Sequence, residues 1–267
     1  MANRISILPP SQFISESRLS GLGDWIFNKA YYEDWYEASS SSLLLLHGIA
    51  SSRKTHTCSV VVDSLLANAA VHPSAALFAY FYCSSLEFER GRSSLDEVMR
   101  TILRQLATDR IDSKKVRDFL WSDYERRLAT ASIDGFDPPE LRTKDSVELI
   151  LELADQEPLT IVVIDDIDHT HEDDCHTFIE PLNRIIARSS NVVKILVTSR
   201  DNAHISTALT AADKTIRITS DEVRQDIETF VNHQIDGAIV KGWLFGNVSP
   251  TLRSMVQQAL LGGAGEM

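Results

Sequence analysis

Residues 43–46 are an unbroken run of leucines, followed at once by Gly48-Ile49-Ala50-Ser51-Ser52-Arg53-Lys54-Thr55. Next comes a stretch in which Cys58, Val61, Val62, Leu65 and Leu66 recur at helical spacing. A continuous apolar run ending in a turn reads as a strand buried on both faces of a parallel sheet, and the following stretch reads as a helix with one apolar face. The loop between them approximates G-x-x-x-x-G-K-[ST], in which a glycine-rich backbone cradles phosphate groups at a helix N-terminus. Gly48, Lys54 and Thr55 fit this pattern, and Ser52 lies inside it. Arg53 stands where the second glycine belongs. Glycine tolerates positive φ and close backbone approach, whereas a side chain in that conformation costs about 1–2 kcal/mol. A guanidinium there offers partial compensation by contacting phosphate itself.

Downstream, strand and helix patterns alternate. Residues 77–82, 161–164, 192–197 and 216–218 read as strands. Leu95, Val98, Met99, Ile102, Leu103 and Leu106 form a helical stripe, with Ser93 or Ser94 as its N-cap. Val147, Ile150, Leu151 and Ala154 suggest another helix, and Phe178, Ile179, Leu182, Ile185 and Ile186 a further one. Thr219 and Glu222 form a capping-box pattern ahead of Val223, Ile227, Phe230 and Val231. Residues 110–145 are charged and weakly periodic, broken at Pro138-Pro139. The alternation predicts an α/β fold, a mainly parallel sheet covered by helices on both faces. Residues 1–20 are expected to be flexible. Residues 21–42 form a helical lead-in whose aromatics, Trp25, Tyr31, Tyr32, Trp35 and Tyr36, pack on a core. The α/β domain then covers residues 43–220, and 221–267 form a helical extension.

The 267-residue chain has a net charge of −12, which argues against nucleic acid as a main partner. No apolar run approaches the ~20 residues of a membrane span, and the first residues lack the apolar core of a secretory signal. Three widely spaced cysteines, with no C-x-x-C pair, read as reduced thiols of a cytoplasmic protein. His169, His171, Glu172, Asp173, Asp174, Cys175 and His176 match no standard zinc spacing and read as a solvated acidic turn.

Phosphate binding needs a metal as well as a loop, because a Mg²⁺ ion on the phosphates takes a carboxylate from a neighbouring strand. The segment Thr160-Ile161-Val162-Val163-Ile164-Asp165-Asp166-Ile167-Asp168 supplies one. Asp165 falls at the C-terminal end of the strand, the edge at which open α/β sheets bind ligands. Asp168 is a candidate to position an attacking water. Arg200, after the strand that ends in Thr198-Ser199, is a candidate γ-phosphate sensor.

Taken together these segments resemble a NACHT domain of the STAND P-loop NTPases, in the nephrocystin-3-like branch. The resemblance is carried by Gly48-Ile49 with Lys54-Thr55, Phe78-Ala79-Tyr80-Phe81-Tyr82-Cys83 and Leu103-Arg104-Gln105-Leu106. It extends to Val163-Ile164-Asp165-Asp166-Ile167-Asp168, Lys194-Ile195-Leu196-Val197-Thr198-Ser199-Arg200 and the lead-in Gly23-Asp24-Trp25-Ile26 with Trp35. It implies a five-stranded parallel sheet in a three-layer sandwich and nucleotide-controlled switching coupled to protein partners or self-association. It also implies ATP or GTP with Mg²⁺, Lys54 on the β- and γ-phosphates, and Thr55 and Asp165 on the metal. Asp168 would then hold the water and Arg200 act as sensor. The chain departs from the family at Ala50, Ser51, Arg53 and His169, where proline, glycine, glycine and glutamate are usual. Two other readings stay open: a nucleotide-dead scaffold that keeps only the fold, and a P-loop phosphotransferase, against which the lack of an arginine-rich lid counts.

Overall fold

The computed structural model describes residues 19, 21–49, 52–72, 76–83, 94–108, 116–169, 175–201, 205, 209, 213–243 and 249–264. The expected flexible segment 1–20 lies outside them except for Leu19, as do Ala50, Ser51 and the acidic turn 171–174. The lead-in is a 3₁₀ turn, Asp24–Asn28, and helix α1, Ala30–Glu37. Strand β1, Ser42–His47, runs through the loop into α2, Lys54–Val71. Then follow β2, Leu77–Tyr82; α3, Leu95–Ala107; α4, Asp118–Asp134; α5, Thr143–Ala154; and β3, Leu159–Asp165. A 3₁₀ turn, Ile167–His169, leads to α6, Cys175–Arg188, then β4, Val192–Ser199, and β5, Lys214–Arg217. Two helices close the chain, α7, Ser220–Val240, and α8, Pro250–Ala264.

The five strands lie in the order β2-β3-β4-β1-β5 and all pair in parallel. Parallel neighbours require crossovers, and the helices that supply them cover both faces. Period-two alternation divides each strand between the two layers. Leu43 and Leu45, Val162 and Ile164, and Val193, Ile195 and Val197 face α3, α5 and α6. Leu44 and Leu46, Ile161 and Val163, and Leu196 face α2, the lead-in and the start of α7. An unbroken apolar strand is required because neither face meets water. The result is the expected three-layer α/β/α sandwich.

Local signals set several element ends. The Ser94 hydroxyl accepts the Glu97 amide proton and caps α3. The capping box forms at α7, where the Thr219 amide donates to the Glu222 carboxylate at 3.0 Å. Helix α4 differs from expectation: the weakly periodic stretch from 118 is helical, ending at Gly135 with φ 77°. Trp121, Tyr124, Leu128, Ile133 and Phe136 stay exposed on and beside it, so it has no clean apolar stripe to read.

The aromatic lead-in is core. Trp35 is fully buried and its indole Nε1 donates to the Ser42 carbonyl at the start of β1. Tyr31, by contrast, is exposed. Truncating Trp35 to Ala should therefore cost about 3–5 kcal/mol in urea unfolding. The exposed Trp121 should lose less than about 1 kcal/mol on the same change. Equal losses at the two positions would place the lead-in outside the cooperative core.

Candidate functional site

The C-terminal edges of β1, β3 and β4 come together at one end of the sheet, and every described site residue expected from the sequence lies there. Gly48 follows β1 directly. A Cβ on it would stand 2.8 Å from Ser52 Oγ and 3.0 Å from the Ile218 carbonyl oxygen. A side chain here would have to displace the Ser52 hydroxyl and press on the Ile218 carbonyl just past β5, and the bond from the Ile218 amide to the His47 carbonyl, 2.7 Å, fixes that close approach. Arg53 is left-handed, with φ 61° and ψ 26°. The position where the pattern calls for glycine does have a glycine-like conformation, held by a residue that pays a Cβ penalty.

Lys54 is 7 % exposed. Its ammonium donates to the carbonyls of Gly48 at 3.0 Å and Ile49 at 2.9 Å. Burial lowers its pKa, against the carboxylates of Asp166, Asp168 and Asp165, which raise it. Asp165 is 2 % exposed. The Thr198 hydroxyl donates to its Oδ1 at 2.5 Å, and Thr55 contributes a second side-chain hydrogen bond. Cys58 adds a thiol hydrogen bond from the next turn of α2. Burial raises the Asp165 pKa to about 6, with Asp166 adding to the rise and the two threonine bonds and Lys54 opposing it. Burial likewise pushes the Cys58 and Cys83 thiols well up, so neither carries thiolate character.

The Thr55–Asp165 pair expected to hold Mg²⁺ is therefore in contact, beside Lys54 and the close backbone approach at Gly48. One carboxylate and one hydroxyl, completed by phosphate oxygens and water, suit the octahedral preference of Mg²⁺, so the residues present fit that ion. Among the described residues, no cluster of three or more His, Cys, Asp or Glu is placed to hold a metal by itself.

Asp168 and Arg200 are brought together, but with each other. Asp168 Oδ1 accepts the Arg200 amide at 2.9 Å, and Oδ2 lies 3.3 Å from Nε. Asp168 is 9 % exposed on its side chain and Arg200 half exposed. Arg53 turns its side chain away: the guanidinium lies over the Phe230 ring of α7 at 4.9 Å from its centroid. Such a cation–π contact contributes roughly 0.5–2 kcal/mol, enough to offset much of the left-handed backbone.

Two participants were not expected from the sequence. Thr198 bonds Asp165 and also accepts the amide of Asp166 at 2.8 Å, a second left-handed non-glycine residue with φ 61°. The register Ile164↔Val197 carries the next pair, Asp165 and Thr198, side by side. Strand ends of matched depth would have signalled it. The second is a surface cluster at the end of β1, in which His47 Nδ1 lies 2.7 Å from Asp201 Oδ1 and Arg217 pairs with Oδ2 at 2.9 Å.

The family model described as nephrocystin 3, N-terminal, matches residues 21–200, which span the lead-in, the loop and the acidic strand through Arg200. The chain belongs to that family. No curated protein matches the sequence. Among solved structures, the chain is similar to the Aeropyrum pernix ORC1 protein in complex with DNA, at 15 % identity and TM-score 0.45 over 84 % of this chain and 49 % of that one. It is also similar to the Aeropyrum pernix ORC2 protein in ADPNP–ADP complexes, at 12 % identity and TM-score 0.43, over 84 % and 55 %. A third is AMPPCP-bound DnaA from Aquifex aeolicus, at 10 % identity and TM-score 0.39, over 96 % and 64 %. The chain spans about half the length of the first two.

The buried Asp165 sets a pH dependence. Its folded pKa lies above its unfolded value, so its contribution is most favourable below about pH 4 and is lost as pH rises through about 6. In chelator-containing buffer, the stability difference between Asp165→Asn and the parent should move in the variant's favour by about 2–3 kcal/mol from pH 4 to pH 8. A difference that stays flat across that range would show that the carboxyl is not desolvated.

Proposed function

We propose that this chain is a NACHT/STAND-type module that binds a nucleoside triphosphate, ATP or GTP, with Mg²⁺, and works as a signalling switch with weak or absent hydrolysis. The observation that carries this reading is the meeting of Lys54 and Thr55, at the start of α2, with Asp165, at the end of β3, on the C-terminal edge of the sheet. Bound Mg²⁺ would supply charge neutralisation between phosphate oxygens. Thr55 and Asp165 would hold it, with Gly48, Ser52 and Arg53 bordering the loop that would receive the phosphates. Lys54 would bind them by exchanging its two carbonyl partners for phosphate oxygens, and its burial would strengthen that interaction.

Weak hydrolysis follows from the Asp168–Arg200 pair. A carboxylate already accepting from the Arg200 amide and lying against its guanidinium is poorly placed to orient a water, and His169 supplies no carboxylate beside it. A long-lived bound state suits a switch read by protein partners or by a second copy. No helix among the described residues is long and apolar enough to cross a membrane. The reduced, buried Cys58 and Cys83 support a cytoplasmic setting.

A second reading, the nucleotide-dead scaffold, is favoured by Arg53 being engaged on Phe230 instead of the loop. The two readings separate in a titration of a fluorescent ATP analogue with and without Mg²⁺. Saturable, Mg²⁺-dependent binding that Lys54→Ala abolishes is expected. A ligand at 100-fold its Kd adds ~2.7 kcal/mol of stability, so millimolar ATP or GTP should also raise the melting temperature. Equal binding by parent and variant would overturn the loop assignment, and no thermal shift with either nucleotide would select the scaffold.

A further inference from the structure

Arg53 sits in the loop, but its side chain belongs to the C-terminal helices. Residues 222, 226 and 230 of α7 are successive i, i+4 positions and share one face. Each contacts a different residue of the domain. Glu222 pairs with Lys29 at 3.1 Å, and Asp226 Oδ2 accepts the Gly23 amide at 2.7 Å. Phe230 carries the Arg53 guanidinium. Gly23, at φ 86°, is itself pressed onto α2, since a Cβ there would meet Val60 at 2.8 Å. Val223 and Ile227 pack beside this stripe on the same apolar layer as Ile216 and Ile218. Helix α8 is tied to α7 through Arg253 and Asp236 at 2.8 Å. Two contacts of the stripe reach the lead-in, and the third reaches the phosphate loop.

We propose that Arg53 is a positioning residue that latches the α7–α8 pair onto the loop, so that loop geometry and the seating of α7 are set together. Glycine at this position would allow the same backbone and make no such contact. The coupling is reciprocal. Drawing the guanidinium toward an anion in the loop loosens α7, and loosening α7 frees the loop. Only this consequence rests on the proposed function, because the latch itself requires no ligand.

Amide hydrogen exchange of the full chain without nucleotide tests it, using Arg53→Gly, Phe230→Leu and the double variant. Exchange across residues 223–235 should accelerate roughly threefold or more in either single variant, with β3 and β4 as protected as in the parent. Phe230→Leu should also speed exchange at residues 52–57, to which Arg53 links it. The double variant should match the singles. Unchanged α7 exchange in Arg53→Gly, unchanged loop exchange in Phe230→Leu, or additive effects in the double variant would each overturn the latch. With the fluorescent ATP analogue, Phe230→Leu should shift affinity by a similar factor. Absence of binding by the parent would count against the proposed function, while the exchange data alone decide the latch.

Discussion

A carboxylate placed at the end of a strand buried on both faces must either find donors or lose its charge, and the arrangement around Asp165 answers that demand. Thr198 reaches it from β4, and Thr55 and Cys58 from two turns of α2. The Asp165 carbonyl in turn accepts the Cys83 amide after β2. Four elements are thus registered on one residue. Because β4 lies between β3 and β1, fixing α2 against Asp165 also fixes the loop that leads into α2. Burial still dominates the balance and raises the pKa to about 6, so that the group is half protonated there. A carboxylate so poorly solvated gains more from a cation than a surface one does.

Two non-glycine residues of the described chain have positive φ, and both border this place, Arg53 in the loop and Asp166 just after β3. Backbone strain of this sort persists only where the surroundings over-determine it. For Asp166 the surroundings are the Thr198 hydroxyl on its amide; for Arg53 they are Phe230 and the N-terminus of α2. The site is therefore shaped at Gly48 by close approach and at the other two positions by compensated strain.

Much of this was legible in the sequence, for physical reasons that differ by element. Strands β1 and β3 announced themselves as continuous apolar runs because both of their faces are buried, and β2 by its aromatics. Helix α7 announced its start by a capping box that forms. Helix α4 stayed hidden because its large apolar residues remain exposed and give no periodic stripe. The Thr55–Asp165 pairing was readable because loop and acidic strand end on the same edge of a parallel sheet. The engagement of Arg53 with Phe230 was not, since the two residues are far apart in sequence and the contact depends on how α7 returns across the lead-in. Nor did spacing reveal that Asp168 and Arg200, each expected to face a nucleotide, satisfy one another.

The most direct test of the central claim is amide-resolved NMR of the ¹⁵N-labelled chain titrated with ATP in the presence and absence of Mg²⁺. If the loop is a phosphate cradle with Asp165 behind its metal, the amides of Gly48 and of residues 52–55, with that of Asp166, shift together and saturate only when Mg²⁺ is present. Resonances at the loop that stay in place at millimolar ATP and Mg²⁺, or shifts confined to other surfaces, would contradict the account.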